Sequence, residues 1–255
     1  MKDILAARER FAPPPAVHVV LRKEDIDSTR LDGHVVIVLD ILFATTTIVT
    51  ALEAGATSVY FALDQHEARR IAAALPADSY HIAGEDHLAA IPGFASPLPL
   101  ELSRADGFAG KPLVYSTTNG TVALRNSRGA RVIYAASLRN AAATLAHVGA
   151  HHQGAPVVIV CAGSAGALNL EDFYAAGCFI ERLALTLDPA RDLSDTALAA
   201  RAAFRASDAW TALSAARVGR IVCGAGSSDE VRHASEIDTS QLVALVDGDR
   251  VIRSS

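Results

Sequence analysis

Seven continuous apolar runs, separated by stretches of helical pattern, constrain this chain more than any other feature. HVVIVLDIL (34–42) and PVVIVCAG (156–163) carry valine and isoleucine at successive positions, where a strand with one wet face would alternate. Such runs are buried on both faces, the condition of strands in a parallel sheet covered by helices. The others are AVHVVLRK (16–23), SVYFAL (58–63), YHIAG (80–84), PLVYST (112–117) and RVIYAA (131–136). Helical patterns fall at 46–54, 65–75, 120–127, 138–148 and 170–186. This order predicts an α/β fold of three layers, α/β/α, around a largely parallel or mixed sheet. The alanine-rich stretch 193–217 reads as helical, and LVALVDGDRVIR (242–253) reads as a final hairpin turning on Asp247-Gly248.

A faint internal similarity runs at an offset of 74 residues: Thr47 with Thr121, Gly55 with Gly129, Ala56 with Ala130, Val59 with Ile133, Tyr60 with Tyr134 and Ala62 with Ala136. Each copy reads strand, threonine-rich turn, helix, Gly-Ala, strand. Either a duplication into two intertwined lobes or the ordinary likeness of βαβ units accounts for it. No Pro/Gly/Ser-rich linker divides the 255 residues, so 1–255 reads as one α/β unit.

Composition narrows the partners. The net charge is −5 with both signs interspersed, and no basic stripe or zinc-finger spacing points to nucleic acid. No apolar run approaches the roughly 18 residues of a membrane span, and MKDILAARERFAPPP lacks the apolar core of a signal peptide. Three widely spaced cysteines, Cys161, Cys178 and Cys223, indicate neither a disulfide framework nor a zinc knuckle. A soluble cytoplasmic protein is the expectation, with the 193–217 region as a candidate homodimer surface.

Two threonine-rich segments stand at the ends of apolar runs. They are Thr45-Thr46-Thr47 and Thr117-Thr118-Asn119-Gly120-Thr121. A strand that breaks into hydroxyls, an amide and glycine before a helix offers backbone N–H groups and a helix dipole to an anion. One such segment would serve as an N-cap; two, each with more hydroxyls than a cap uses, favour a site for a small anionic substrate. Carboxylates follow three separate runs. Asp40 closes one, where open sheets bind ligands; Glu85, with Asp86 and His87, follows another; Glu171 and Asp172 open a helix after a third. Acidic residues suit a first helical turn on dipole grounds alone, yet carboxylates converging from three places also suit Mg²⁺. There is no G-x-x-x-x-G-K-[ST] loop, no G-x-S-x-G elbow and no dinucleotide fingerprint.

Read together, DILFATTTI (40–48), AGE (83–85), STTNGTVAL (116–124), VCAGSAGALNLED (160–172) and AAG (175–177) resemble the 2-phosphosulfolactate phosphatase family over roughly 16–253. The resemblance implies an α/β, Mg²⁺-dependent phosphatase that converts 2-phospho-3-sulfolactate to sulfolactate on the route to coenzyme M. It implies catalytic roles for Asp40, Asn119 and Glu171, and metal ligation by Asp40, Glu85 and Asp172. Substrate contacts would come from Thr45, Thr46, Thr47, Thr117, Thr118, Asn119, Gly120 and Thr121. Three positions depart from the family pattern, with Phe43, Val122 and Asp86 where arginines are expected; Arg125 and Arg139 are candidates to compensate. These departures motivate a second expectation, a member that binds an anionic metabolite without turnover.

Overall fold

Strands that are apolar at every position need cover on both faces, and the two sides of the sheet provide it. The computed structural model describes residues 16–105, 107–186 and 192–254. β2 (Val35–Leu39) and β8 (Val157–Cys161) are buried throughout. On one face Val35, Ile37, Leu39, Ile159 and Cys161 pack against α5 (Ala141–His151), α6 (Leu170–Thr186), α7 (Asp195–Arg205) and α8 (Ala209–Ala215). On the other face Val36, Val38, Val158 and Val160 meet α1 (Ala44–Glu53) and α4 (Gly120–Asn126). Alternate residues of one strand thus serve two separate cores, which is the three-layer arrangement expected of continuous runs. A smaller cluster sets Ala68 and Ala72 of α2 (Gln65–Ala73) on Ala62 and Val114.

The sheet is mixed. β1 (Val17–Val20), β8, β2 and β7 (Val132–Ala136) run parallel to one another, and so do β3 (Val59–Ala62), β6 (Leu113–Ser116) and β4 (His81–Asp86). Between the two groups lies the antiparallel hairpin of β9 (Ala244–Asp247) and β10 (Arg250–Arg253), pairing with β7 on one side and β3 on the other. Gly248, with φ +61, takes the first position of its two-residue turn, a backbone conformation glycine adopts without a Cβ penalty. β5 (Ala89–Ala90) pairs antiparallel with the end of β4.

The residues related by the 74-residue offset occupy matching places. β2–α1–β3 leaves the first parallel group and arrives in the second, while β6–α4–β7 makes the opposite passage. Gly55 and Gly129, just after the two helices, have φ of +96 and +101.

Two segments expected to be helical are helical but subdivided. The stretch 193–217 is not one helix: Asp208 accepts hydrogen bonds from the amide and hydroxyl of Thr211, capping α8 and separating it from α7. Helix continues beyond it as α9 (Arg217–Gly224) and α10 (Ser228–Ser235). In the last, Glu230 accepts from the amides of Leu100 (2.9 Å) and Glu101 (3.0 Å), acting as a cap delivered from a distant element to α3 (Pro99–Ser103). Near 138, the chain opens with a 3₁₀ turn at Leu138–Asn140 before α5 begins.

Candidate active site

The ends of β2 and β6 meet. Asp40 follows β2 and is 4% exposed. A Cβ on Gly120, the first residue of α4, would stand 2.7 Å from Asp40 Oδ2 and 2.4 Å from the Ala44 Cβ, so only glycine lets the two turns touch. The two threonine-rich turns therefore lie side by side, but most of their hydroxyls serve the turns themselves. Thr45 Oγ1 donates to the Asp40 carbonyl (3.0 Å) and accepts from the Asp40 amide (2.9 Å). Thr46 Oγ1 donates to Ile41 O (2.9 Å) and Thr47 Oγ1 to Pro97 O (2.8 Å). All three threonines are fully buried, as is Thr121, whose hydroxyl donates to Thr117 O at 2.7 Å. None of these four residues, nor Gly120, is in the lining of the cavity that opens beside them; they hold the turns in place.

A cavity of about 640 Å³ opens above these turns. Its polar lining includes Asp40, Thr117, Thr118, Asn119, Asn169 and Arg217. Glu85 also reaches it, but its oxygens are engaged. They accept from the Thr118 amide (2.7 Å), the Thr118 hydroxyl (3.2 Å) and the Leu88 amide (2.6 Å), tying β4 to the β6 turn. Gly84 permits this closeness, since a Cβ there would fall 2.1 Å from Ser116 O.

Asp172 lies deeper. Its carboxylate accepts from the amides of Ile41 (2.9 Å) and Gly163 (3.2 Å), joining the turn after β2 to the loop after β8. Glu171 is 1% exposed and its Oε1 has no hydrogen-bond partner. Neither side chain lines the cavity. Burial, with the charges of Glu85 and Glu171 adding to it, pushes the Asp40 carboxyl up to about 7, while the Ala44 and Gly120 amides favour its ionised form. Burial likewise raises Glu171 and, with Asp40 and Glu171 nearby, Asp172. Asp40, Glu171 and Asp172 thus lie within electrostatic reach of one another, with Arg217 acting on Glu171.

The expected ligand trio Asp40, Glu85 and Asp172 does not come together as a cage. Among the described residues no group of three or more His, Cys, Asp or Glu side chains is arranged to hold a metal. The physical reason is that Glu85 and Asp172 spend their oxygens on backbone amides that shape the loops. Of the three, Asp40 and Glu85 reach the cavity; the Asp40 carboxylate is held by the Ala44 and Gly120 amides beside it, and Glu171 keeps an oxygen without a hydrogen-bond partner within electrostatic reach of Asp40. That donor set still suits Mg²⁺, which takes one or two protein carboxylates and fills its remaining positions with water and phosphate oxygens.

Sequence reasoning missed two cations. Arg217, at the start of α9, lines the cavity and donates to the Ser164 hydroxyl. Lys23, whose side chain is 11% exposed, donates to Asn119 Oδ1 at 2.9 Å and to Glu24 at 2.8 Å. Nothing local marks either residue, because each lies far in sequence from the strand ends it serves. Of the three positions lacking an expected arginine, only Phe43 lines the cavity; Val122 and Asp86 do not. The compensating candidates point elsewhere. Arg125 pairs with Glu67, and Arg139 with Glu53 and Glu236.

A family model described as 2-phosphosulpholactate phosphatase matches residues 20–249. A protein of Symbiobacterium thermophilum named "Probable 2-phosphosulfolactate phosphatase" is 34% identical over 225 residues, covering 87% of this chain and 95% of its own. One of the same name from Deinococcus radiodurans is 36% identical over 226 residues, or 86% and 92% of the two chains. A third, from Carboxydothermus hydrogenoformans, is 32% identical over 232 residues, or 88% and 92%.

Proposed function

The chain belongs to the 2-phosphosulfolactate phosphatase family, and from that premise we propose that it hydrolyses a small anionic phosphomonoester with Mg²⁺ as cofactor. The ester in its relatives' names, 2-phosphosulfolactate, is the reference substrate. One observation supports the reading most. The nearly buried carboxyl of Asp40 lines the same cavity as Thr117, Thr118, Asn119 and Arg217.

The residues fit a hard cation. Asp40 would hold Mg²⁺, with the unpartnered Glu171 oxygen as the next donor; Glu85 and Asp172 would act through the loops they brace or through water. Bound there, Mg²⁺ supplies Lewis-acid polarisation of the phosphoryl group and offsets the charge of the departing oxygen. The chain's own groups orient the ester. Arg217 offers charge-assisted hydrogen bonds to phosphoryl oxygens. Lys23 can only donate, so it holds the Asn119 carbonyl oxygen and leaves the Asn119 NH₂ free to donate. Fixed donors of this kind stabilise charge that develops in the transition state.

Among the described residues no helix is long and apolar enough to cross a membrane, and a cytoplasmic location completes the proposal. The experiment is phosphate release from 2-phosphosulfolactate, phospholactate and phosphoglycolate, with Mg²⁺ and with chelator. Turnover that needs Mg²⁺ and that falls by about 10³-fold or more in Asp40→Asn is expected. Folded protein that binds phosphate yet releases none from any ester would replace the enzyme with a non-catalytic binder.

A further inference from the structure

The polar groups occupy only part of the cavity. The rest of its wall includes Leu42, Phe43, Leu88, Val218, Ile221 and Val222. Val218, Ile221 and Val222 come from α9, whose first residue is Arg217, so one helix presents a guanidinium and then a run of aliphatic side chains to the same space. Among the described residues Arg217 is the single guanidinium or ammonium group in the wall, which also holds the exposed imidazole of His87 beside Asp86, whereas Asp40 and Glu85 bring negative charge to it. Lys23 stands behind Asn119 and is already shared with Glu24.

This division of the lining bears on what the cavity holds. One guanidinium, with the Mg²⁺ proposed above, would suit a single phosphoryl group. A further strongly hydrated anion laid against leucine, valine and phenylalanine would lose its water without gaining a donor. An alkyl group in the same place is favoured by burial. Sites of roughly 300–1,000 Å³ enclose ligands of drug size, so about 640 Å³ leaves room for a side chain beyond the phosphoester.

We infer that the cavity selects phosphomonoesters bearing an apolar side chain, with Phe43, Val218, Ile221 and Val222 as the residues that contact it. The inference rests on the phosphatase reading and narrows its substrate class. Hydrolysis itself is unchanged: water adds to phosphorus, the ester P–O bond breaks, and the departing oxygen takes a proton, giving an alcohol and inorganic phosphate.

The test compares kcat/KM, with Mg²⁺, for 2-phosphosulfolactate and for the phosphate monoester of 2-hydroxy-4-methylpentanoate. The alkyl ester is expected to be better by about tenfold or more, the scale on which apolar pockets discriminate. Ile221 is 48% exposed, so Ile221→Arg adds a guanidinium to the wall without opening the core. It should cut that ratio by about tenfold, and Phe43→Arg should act in the same direction. Equal or greater kcat/KM on 2-phosphosulfolactate in the unsubstituted protein overturns the inference and leaves the phosphatase reading intact. So does a ratio unmoved by both substitutions. If neither ester turns over, the phosphatase reading is decided by the other esters named above, and selectivity is read by calorimetry with the two corresponding phosphonates. Tighter binding of the alkyl phosphonate retains the inference; equal or weaker binding overturns it.

Discussion

His233 demonstrates how far one side chain's chemistry depends on its neighbours. Its Nδ1 lies 3.1 Å from the Arg139 guanidinium, which can only donate, so Nδ1 accepts and Nε2–H donates to Thr50 Oγ1 at 2.9 Å. Burial, aided by Arg139, lowers its pKa to about 4, against the partly opposing charges of Glu236 and Glu53. A histidine whose folded pKa is depressed stabilises the protein fully above its unfolded value near 6.5, and that contribution is lost as pH falls toward 4. The protein should therefore lose about 2 kcal/mol of stability between pH 7 and 5 that a His233→Gln variant does not lose. Urea titrations of both proteins at the two pH values measure it. At the candidate site, Lys23→Met should leave the melting temperature nearly unchanged while lowering kcat, because it releases the Asn119 amide. Asn119→Ala should cost about 10²–10³-fold in kcat, as loss of a transition-state donor does. Equal kcat in both variants and the parent would remove Asn119 from the chemistry. Asp40 was legible beforehand as the polar end of a buried run. The inward aim of the Thr45, Thr46 and Thr47 hydroxyls was not, since a hydroxyl's partner is chosen by the fold around it.

At the scale of elements, small residues decide how closely the layers approach. Gly177 lies in α6 where α7 crosses it, and a Cβ there would fall 2.0 Å from Ala200 O and 2.7 Å from the Phe204 Cβ. Gly177→Ala is expected to destabilise by about 1–3 kcal/mol, the usual cost of overpacking, and to leave KM unaltered because the contact lies away from the cavity. Thermal denaturation and steady-state kinetics separate the two effects. An unchanged melting temperature would mean that the helices part freely. The continuous runs of β2 and β8 announced strands buried on both faces, and the helices between them followed from period and capping. The break at Asp208 was visible only as an N-cap residue inside an alanine-rich stretch, where helix propensity favours continuation. α9 and α10 offered weaker signals still, yet α9 carries Arg217 and the aliphatic wall. Of the cavity wall, Asp40, Glu85, Thr117, Thr118 and Asn119 were marked in the sequence, whereas the part carried by this helix was not.

Across the whole molecule, the C-terminal hairpin joins two parallel groups that run in opposite senses. β9 pairs Leu245 with Tyr134, and β10 pairs Arg250 and Val251 with Tyr60 and Val59. A hairpin at an edge would be dispensable, whereas one at the centre leaves two unpaired strand edges when removed. A chain ending before Ala244 is thus expected to lose cooperative unfolding, as followed by circular dichroism; a sharp transition near the parent's would contradict the central role.

What the amino-acid order determined alone is the kind of layer each segment builds. Burial of Val35–Leu39 on two faces, and a carboxylate at Asp40 closing that run, are legible in local pattern, whereas the need for glycine at 120 comes from its contact with Asp40 and Ala44. Tertiary structure alone decided which strand ends share a cavity, which carboxylates remain free there, and which distant cation reaches them. Such choices depend on pairing between residues far apart in sequence, as Ile41 with Asp172 and Lys23 with Asn119. The energy of those contacts exists only once the sheet has brought both partners together.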